Sequence, residues 1–348
     1  MDEIKALEAL TPPSKPRPHI WMGGILQIVV TRACDLSCIG CSQGSQLGGK
    51  PSMMTPDQFE QACNSLHGYP HVVGIFGGNA AISPHFETIC EIFKSKFQFE
   101  QRGLWCNNPM GKGGFMRSTF DPSHSNLNVH LSRAAFDAFW NEWPECRPYL
   151  KGLDPSWPEA QEIRDLHQRA NRIGDSRHGP PMVAMMDLDK LPGDIDNTVE
   201  NRWSLISTCD ISRNWSAACG VVRGQVRGFF CEIAYAQSAL HEANPDYPDT
   251  GLDVTQLHGG KLWWQLGMDS FADQARKHCH ECGIPLRGYG DLAVAGTVEQ
   301  VSPTHADIFK LKNKSRRVEL VTRLEQLGDK HLPRSTDYIQ NSSLPVLQ

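Results

Sequence analysis

The sequence predicts an α/β fold: parallel strands with helices outside them, as an open sheet or a partial or complete barrel, followed by a smaller α+β unit rich in cysteine. Three observations lead there. Short apolar runs of strand character recur along the first half of the chain. Amphipathic stretches with helix-start signals alternate with those runs, the pattern of βα units. Eight of the twelve cysteines fall into two groups, three early and five late.

Taken in order, residues 1–24 begin with a short charged helix and continue as a Pro-containing connector, an extension rather than a domain. Strands are expected at ILQIVV (25–30), VVGIFGG (72–78), GLWCNN (103–108), LNVHL (127–131) and MVAMMDL (182–188). Between them, TPDQFEQACNSL opens with a Thr cap and a Pro in the first turn, and SPHFETICEIFKSK does the same with Ser. SRAAFDAFWNEW is the helix expected after the fourth strand. The pattern changes near residue 200: NTVENRWSLIST reads as helix, CGVVRGQVRGFFCEIA as a hairpin with Gly in its turn, and WWQLGMDSFADQARKH as a helix leading into CHECGIPLRGYG. The predicted division is therefore 25–200 for the parallel unit, 201–296 for the cysteine-bearing unit and 297–348 for a polar tail. The tail's basic run, KLKNKSRR, reads as solvated surface.

A formal net charge of -5 argues against a general nucleic-acid or membrane-surface binder. No stretch reaches the ~18 apolar residues that a membrane span needs. The charged and then Pro-rich start is unlike a secretory signal, so the expected location is the reducing cytoplasm, where thiols stay reduced or bind metal.

Cys34, Cys38 and Cys41 form C-x3-C-x2-C just beyond the first strand, at the carboxyl edge where parallel α/β folds place active sites. Closed structural zinc sites use four ligands, commonly as two separated pairs. Three thiolates on one short loop instead suit one face of an iron–sulfur cluster, with one iron left open for chemistry. An incomplete zinc site or a buried thiol group is the plainer alternative.

This motif resembles that of the radical SAM superfamily. The resemblance implies a partial (β/α)6 barrel and a [4Fe–4S] cluster that binds S-adenosylmethionine at its open iron. It also implies reductive cleavage of that cofactor to a 5′-deoxyadenosyl radical, which abstracts hydrogen from a substrate. GIFGGNAAISPHF resembles the family's Gly-Gly-Glu-Pro segment, which assigns Gly77, Gly78 and Asn79 to S-adenosylmethionine, with Asn79 standing where glutamate is usual. Gly40 replaces an aromatic residue common before the last cluster cysteine, and Cys106-Asn107 falls where Thr-Asn is frequent.

Late in the chain, Cys279 and Cys282 form C-x2-C, with Cys209, Cys219 and Cys231 upstream. The layout is similar to the twitch or SPASM-type extension of the same superfamily, which implies an auxiliary [4Fe–4S] cluster on Cys209, Cys231, Cys279 and Cys282. Cys219 could replace either upstream ligand, and a four-cysteine zinc site is the alternative.

Cys63 and Cys90 sit among apolar residues of predicted helices and read as core; Cys146 has no informative context. Cys106, at the end of the third strand, is a candidate hydrogen donor to a substrate radical, or simply a buried small side chain. Asp187, with Asp189, is a candidate substrate or proton-handling carboxylate, or ordinary loop surface. Ser132, with His130, is a candidate ribose or substrate contact. The reading is a radical S-adenosylmethionine enzyme that oxidises or epimerises a small polar substrate, such as a sugar, aminocyclitol or nucleotide-like molecule. Its expected partners are that substrate and a reductant such as flavodoxin or ferredoxin, without membrane or nucleic acid. A peptide-modifying enzyme of the same superfamily is the nearest alternative, and a non-catalytic zinc or Fe–S binding protein is the alternative from another class.

Overall fold

The structure is a computed structural model. It describes residues 1–10, 25–35, 40–45, 47, 51–106, 108–127, 141, 143, 145–146, 179–209, 211, 217–286, 298–310 and 317–327. Cys38, His130, Ser132, most of the helix expected after the fourth strand, nearly all of the basic run and the end of the tail lie outside the described residues.

The chain begins with α1 (Glu3–Ala9), N-capped by Asp2, and enters the sheet at β1 (Leu26–Thr31). Every residue of β1 is buried, as a central strand covered on both faces requires. Helix α2 (Pro56–Ser65) starts as the sequence predicts: Thr55 and Gln58 cap each other reciprocally, and Pro56 fills the first turn. Strand β2 (Val73–Gly77) follows. Helix α3 (Phe86–Lys96) begins later than predicted, after His85, whose backbone N–H donates to the Ser83 hydroxyl. Then come β3 (Arg102–Cys106), α4 (Gly113–Thr119) and β4 (Asn126–Leu127).

The predicted strand at 182–188 is not one. A single 3-10 turn spans Met185–Asp187, and only the short pair β5 (Lys190–Leu191) and β6 (Ile195–Asp196) follows. Pro180 and Pro181 lie just upstream, and proline lacks the N–H a ladder needs. The apolar Val183, Ala184 and Met185 are buried nonetheless, while the Ala184 N–H donates to the Ser302 hydroxyl and the Met182 carbonyl accepts from the Ser302 N–H. An apolar run thus signalled burial here rather than a strand.

Helix α5 (Val199–Ile206) leads to β7 (Ala217–Val222) and β8 (Gln225–Phe229), joined by a tight turn at Arg223 and Gly224. Both turn residues have positive φ, 50° and 78°, as a two-residue type I′ hairpin requires. Next are α6 (Glu232–Leu240), β9 (Leu252–Asp253), α7 (Ala272–His278), β10 (Val298–Val301), α8 (Ala306–Lys310) and β11 (Arg317–Leu320). The helix expected over 263–278 is two 3-10 turns and the short α7.

One mixed sheet runs β4-β3-β2-β1-β7-β8-β9. Its members from β4 to β7 pair in parallel, and β8 and β9 add antiparallel. Among the described residues the sheet is therefore open and parallel-dominated, and the hairpin predicted to belong to the second unit pairs directly with β1. Residues opposite each other across a ladder share a face. Gln27 stands opposite Gly74 and Ala218, and Val29 opposite Gly220. On that face the Trp105 ring fills the space over Gly74, and the Tyr235 ring of α6 fills the space over Gly220. The other face carries Ile28, Ile75 and Cys219, and Gly228 opposite Cys219 supports Trp263, whose indole N–H donates to Ser65 of α2 at 3.1 Å. The two faces thus hold different machinery: helix α6 on one, α2 and Trp263 on the other.

A Cβ on Gly74 would lie 1.6 Å from the Trp105 ring, whereas one on Gly114 in α4 meets nothing within 4 Å. Gly74→Ala is expected to lower the urea-unfolding free energy by at least about 1–3 kcal/mol. Gly114→Ala is expected to raise it by about 0.5–1 kcal/mol through helix propensity. Paired urea melts check both signs.

Candidate cysteine-lined active site

At the carboxyl edge of the sheet, the loop after β1 carries Cys34 and Cys41, both half-buried. It is laced to the loop after β2. The Gly78 N–H donates to the Thr31 carbonyl at 2.9 Å, and the Asn79 N–H to the Ala33 carbonyl at 2.7 Å. Gly77 has φ 136°, which side chains rarely adopt, and a Cβ there would stand 2.0 Å from the Thr31 carbonyl oxygen. A Cβ on Gly78 would stand 2.1 Å from the Ala33 carbonyl oxygen. These glycines are thus needed to seat one loop on the other. The Gly78 and Asn79 N–H groups are thereby used within the protein, so this loop offers a ligand its carbonyls and side chains.

The Asn79 side chain extends the lacing. Its amide nitrogen donates to the Asp35 carboxylate at 2.9 Å, and its amide oxygen accepts from the Ala81 N–H at 3.1 Å and from the Cys106 thiol at 2.8 Å. Asn108 donates to the other oxygen of Asp35 at 3.3 Å. Asp35 and Asn108 were not singled out by sequence reasoning. Asp35 lies between the motif cysteines, and a carboxylate inside a metal-ligand motif was the available signal. On its far side the loop is held by the buried Glu299 of β10, which accepts from the Gly40 N–H at 3.1 Å.

Cys106 is 2 % exposed and donates to Asn79, so the structure makes it part of this network. Asp187 lies in a 3-10 turn, and its carboxylate accepts from the Thr304 N–H at 2.8 Å, tying that turn to the 303–305 turn.

The late cysteines converge. Cys209, Cys231, Cys279 and Cys282 line one cavity of about 20 Å³, with Ile206 and Phe230 among its apolar walls. Burial raises the Cys279 thiol well above its usual range, and Cys209, Cys231 and Cys282 each raise it further. Burial does the same for Cys282, with Cys209 and Cys231 adding to it. Thiols that suppress one another's ionisation face the same space. Cys219 is turned away: it shares the opposite sheet face with Ile28, its thiol is pushed up to about 12 by burial, and it acts on Cys63 of α2. Cys63 and Cys90 are buried in the core, as their helical context predicts.

Around the C-x2-C pair lies a buried polar network. His278 meets Thr250 at 2.8 Å, Gln237 at 3.0 Å and Ser238 at 3.2 Å. Tyr247 donates to Glu281 at 3.1 Å and stacks on His241, which meets His305 at 3.2 Å. Burial drives His278 and His241 down to about 3, so both rings are neutral at pH 7. The network fixes the backbone that carries Cys279 and Cys282.

Whether these residues fit iron–sulfur clusters can be tested on the donors themselves. Both sites offer thiols, the ligand type such clusters use, and the late ones lie within apolar walls. Among the described residues no group of three or more His, Cys, Asp and Glu side chains is set to hold a single metal ion. A cubane spreads its thiolates over separate irons, whereas four sulfurs on one zinc converge on a single point at ~2.3 Å.

No protein-family model matches the chain, and no curated protein does. Among solved structures, that of BtrN in complex with AdoMet and 2-DOIA is similar at 9% sequence identity. The match covers 75% of this chain and 93% of that chain with a TM-score of 0.42. Among the described residues, no helix is long and apolar enough to cross a membrane.

If the late cavity holds a cubane, Cys209→Ala and Cys282→Ala each lose about four irons per chain after anaerobic reconstitution. Cys219→Ala retains them. Iron and sulfide assays on the purified variants check the assignment, and iron loss in the Cys219 variant would return that residue to the ligand set.

Proposed function

We propose that the chain is a radical S-adenosylmethionine enzyme that oxidises a small polar substrate. The observation that carries the reading is the cysteine loop at the carboxyl edge of a parallel sheet, pinned by Thr31, Ala33 and Asp35 to the Gly77–Asn79 loop of the neighbouring strand. Cys34, Cys38 and Cys41 would hold a [4Fe–4S] cluster with an open iron for S-adenosylmethionine. When bound and reduced, that pair supplies a 5′-deoxyadenosyl radical for hydrogen abstraction. Asp35, Asn79 and Asn108 keep the two loops in register. Ser132, in the segment expected to follow the fourth strand, is retained as a cofactor contact.

Cys209, Cys231, Cys279 and Cys282 would hold a second cluster. Four thiolates leave no iron open to substrate, which suits a site that takes up an electron. Cys106 is a positioning residue in this reading, because its thiol is buried and donates to Asn79. Without a hydrogen donor at Cys106, oxidation is favoured over epimerisation. Such chemistry requires a low-potential reductant of the flavodoxin or ferredoxin kind, and a cytoplasmic location agrees with so many reduced thiols.

Anaerobic protein, reconstituted with iron and sulfide, reduced and given S-adenosylmethionine, is expected to release 5′-deoxyadenosine, and Cys34→Ala is expected to release none. Chromatography of the quenched reaction reads both. A wild-type protein with a well-formed cluster and no 5′-deoxyadenosine contradicts the reading and supports a metal-binding protein without catalysis.

A further inference from the structure

Residues 298–305 fall in the stretch expected to be a polar tail, yet three of their polar side chains are buried. Glu299 of β10 is 4 % exposed, and Ser302 and His305, which bracket the turn after β10, are fully buried. Ser302 fixes the segment to the body of the protein. Its hydroxyl accepts from the Ala184 N–H at 2.9 Å, and its own N–H donates to the Met182 carbonyl at 3.1 Å. Val301 and Ile308 belong to one apolar cluster with Leu47, Met182 and Leu240. A carboxylate and an imidazole are costly to bury unless hydrogen-bonded, so their partners define what the segment does.

Those partners lie in the two cysteine motifs. Glu299 Oε1 accepts from the Gly40 N–H at 3.1 Å, one residue before Cys41. His305 Nε2 meets the Glu281 carbonyl at 2.7 Å, one residue before Cys282. A carbonyl only accepts, so Nε2 carries the proton and Nδ1 of His305 is left as an acceptor. The 3.2 Å contact with His241 is then a donation from His241 Nε2. His241 ends α6 and stacks on Tyr247 with ring centres 4.3 Å apart, which holds the His305 ring from behind. The Glu281 carbonyl belongs to the peptide that joins Glu281 to Cys282, so holding it fixes where the Cys282 side chain leaves the backbone.

We propose that Glu299 and His305 are positioning residues for the two cysteine motifs, and that residues 298–305 are a clasp that sets the last cysteine of each motif for its cluster. Glu299 serves the loop of Cys34 and Cys41, and His305 serves the turn of Cys279 and Cys282. Side chains behind metal ligands fix ligand orientation, and their loss typically weakens metal binding by about 10–100-fold. A carboxylate on a backbone N–H makes the stronger, charge-assisted kind of hydrogen bond. This inference rests on the functional reading given above, because it takes these cysteines as cluster ligands.

Iron release to a chelator from the anaerobically reconstituted full chain tests it. Each site is read alone, the early one in a Cys279→Ala/Cys282→Ala background and the late one in a Cys34→Ala/Cys41→Ala background. Glu299→Leu is expected to speed release from the early site by about tenfold or more and to leave the late site at its original rate. His305→Phe is expected to do the reverse. Glu299→Gln keeps an acceptor oxygen and His305→Gln keeps a donor N–H, so both are expected to restore slow release. A merely structural role would loosen the two sites together and gain nothing from the glutamine variants. The Glu299 and His305 arms are independent, so either one decides the matter should a variant of the other fail to fold. Release that is unchanged, or that is equally faster at both sites, in a folded Glu299→Leu or His305→Phe protein overturns the proposal. Site-selective release in a wild type that forms no 5′-deoxyadenosine would sink the functional reading and leave the clasp standing. Site-indifferent release in a protein that forms it would sink the clasp alone.

Discussion

Two backbone hydrogen bonds govern this molecule, from Gly78 N–H to the Thr31 carbonyl and from Asn79 N–H to the Ala33 carbonyl. They continue the β1–β2 pairing past the end of the strands and turn two connecting loops into one rigid rim. The Asp35 and Asn79 side chains repeat the connection one layer out. The cluster proposed for this loop would need that rigidity, because each ligand must be held where the cluster's corners are rather than where a free loop would leave it. The glycines follow from the same constraint: a side chain at 77 or 78 would collide with the carbonyls that do the binding.

Sheet order explains how the second group of cysteines comes near the first. Because β7 pairs with β1, the hairpin and the helix after it stand beside the strand that launches the first motif. Cys231 ends that hairpin region and α6 begins at the next residue, which places Glu232 near Ser42. Helix α7 then brings Cys279 to the same cavity, and the buried histidine, tyrosine and glutamate network holds Cys282 there. The late site is thereby part of the sheet's own scaffold.

Local signals in the sequence were dependable where the physics is local. The Thr55 cap, the Pro at the start of α2, the Gly-containing turn of the hairpin and the apolar first strands all appear where their residues place them. The grouping of Cys209, Cys231, Cys279 and Cys282 was legible, but only the alternation across β7, which turns Cys219 to the opposite face, separates the fifth late cysteine from the shared cavity. Residues 182–188 misled because apolar composition reports burial and not the hydrogen-bond pattern that achieves it. The pairing of β7 with β1 links residues about two hundred positions apart, which no local period encodes. Asp35 and Asn108 were missed for a similar reason, since their roles come from neighbours distant in sequence.

The account stands on one claim, that the cysteine loop after β1 leaves an iron open to S-adenosylmethionine. Electron paramagnetic resonance of the dithionite-reduced, anaerobically reconstituted Cys279→Ala/Cys282→Ala protein isolates that loop's cluster. Adding S-adenosylmethionine is predicted to shift the cluster's g-values, as direct ligation to iron would. A well-formed cluster whose spectrum is indifferent to saturating S-adenosylmethionine would contradict the account.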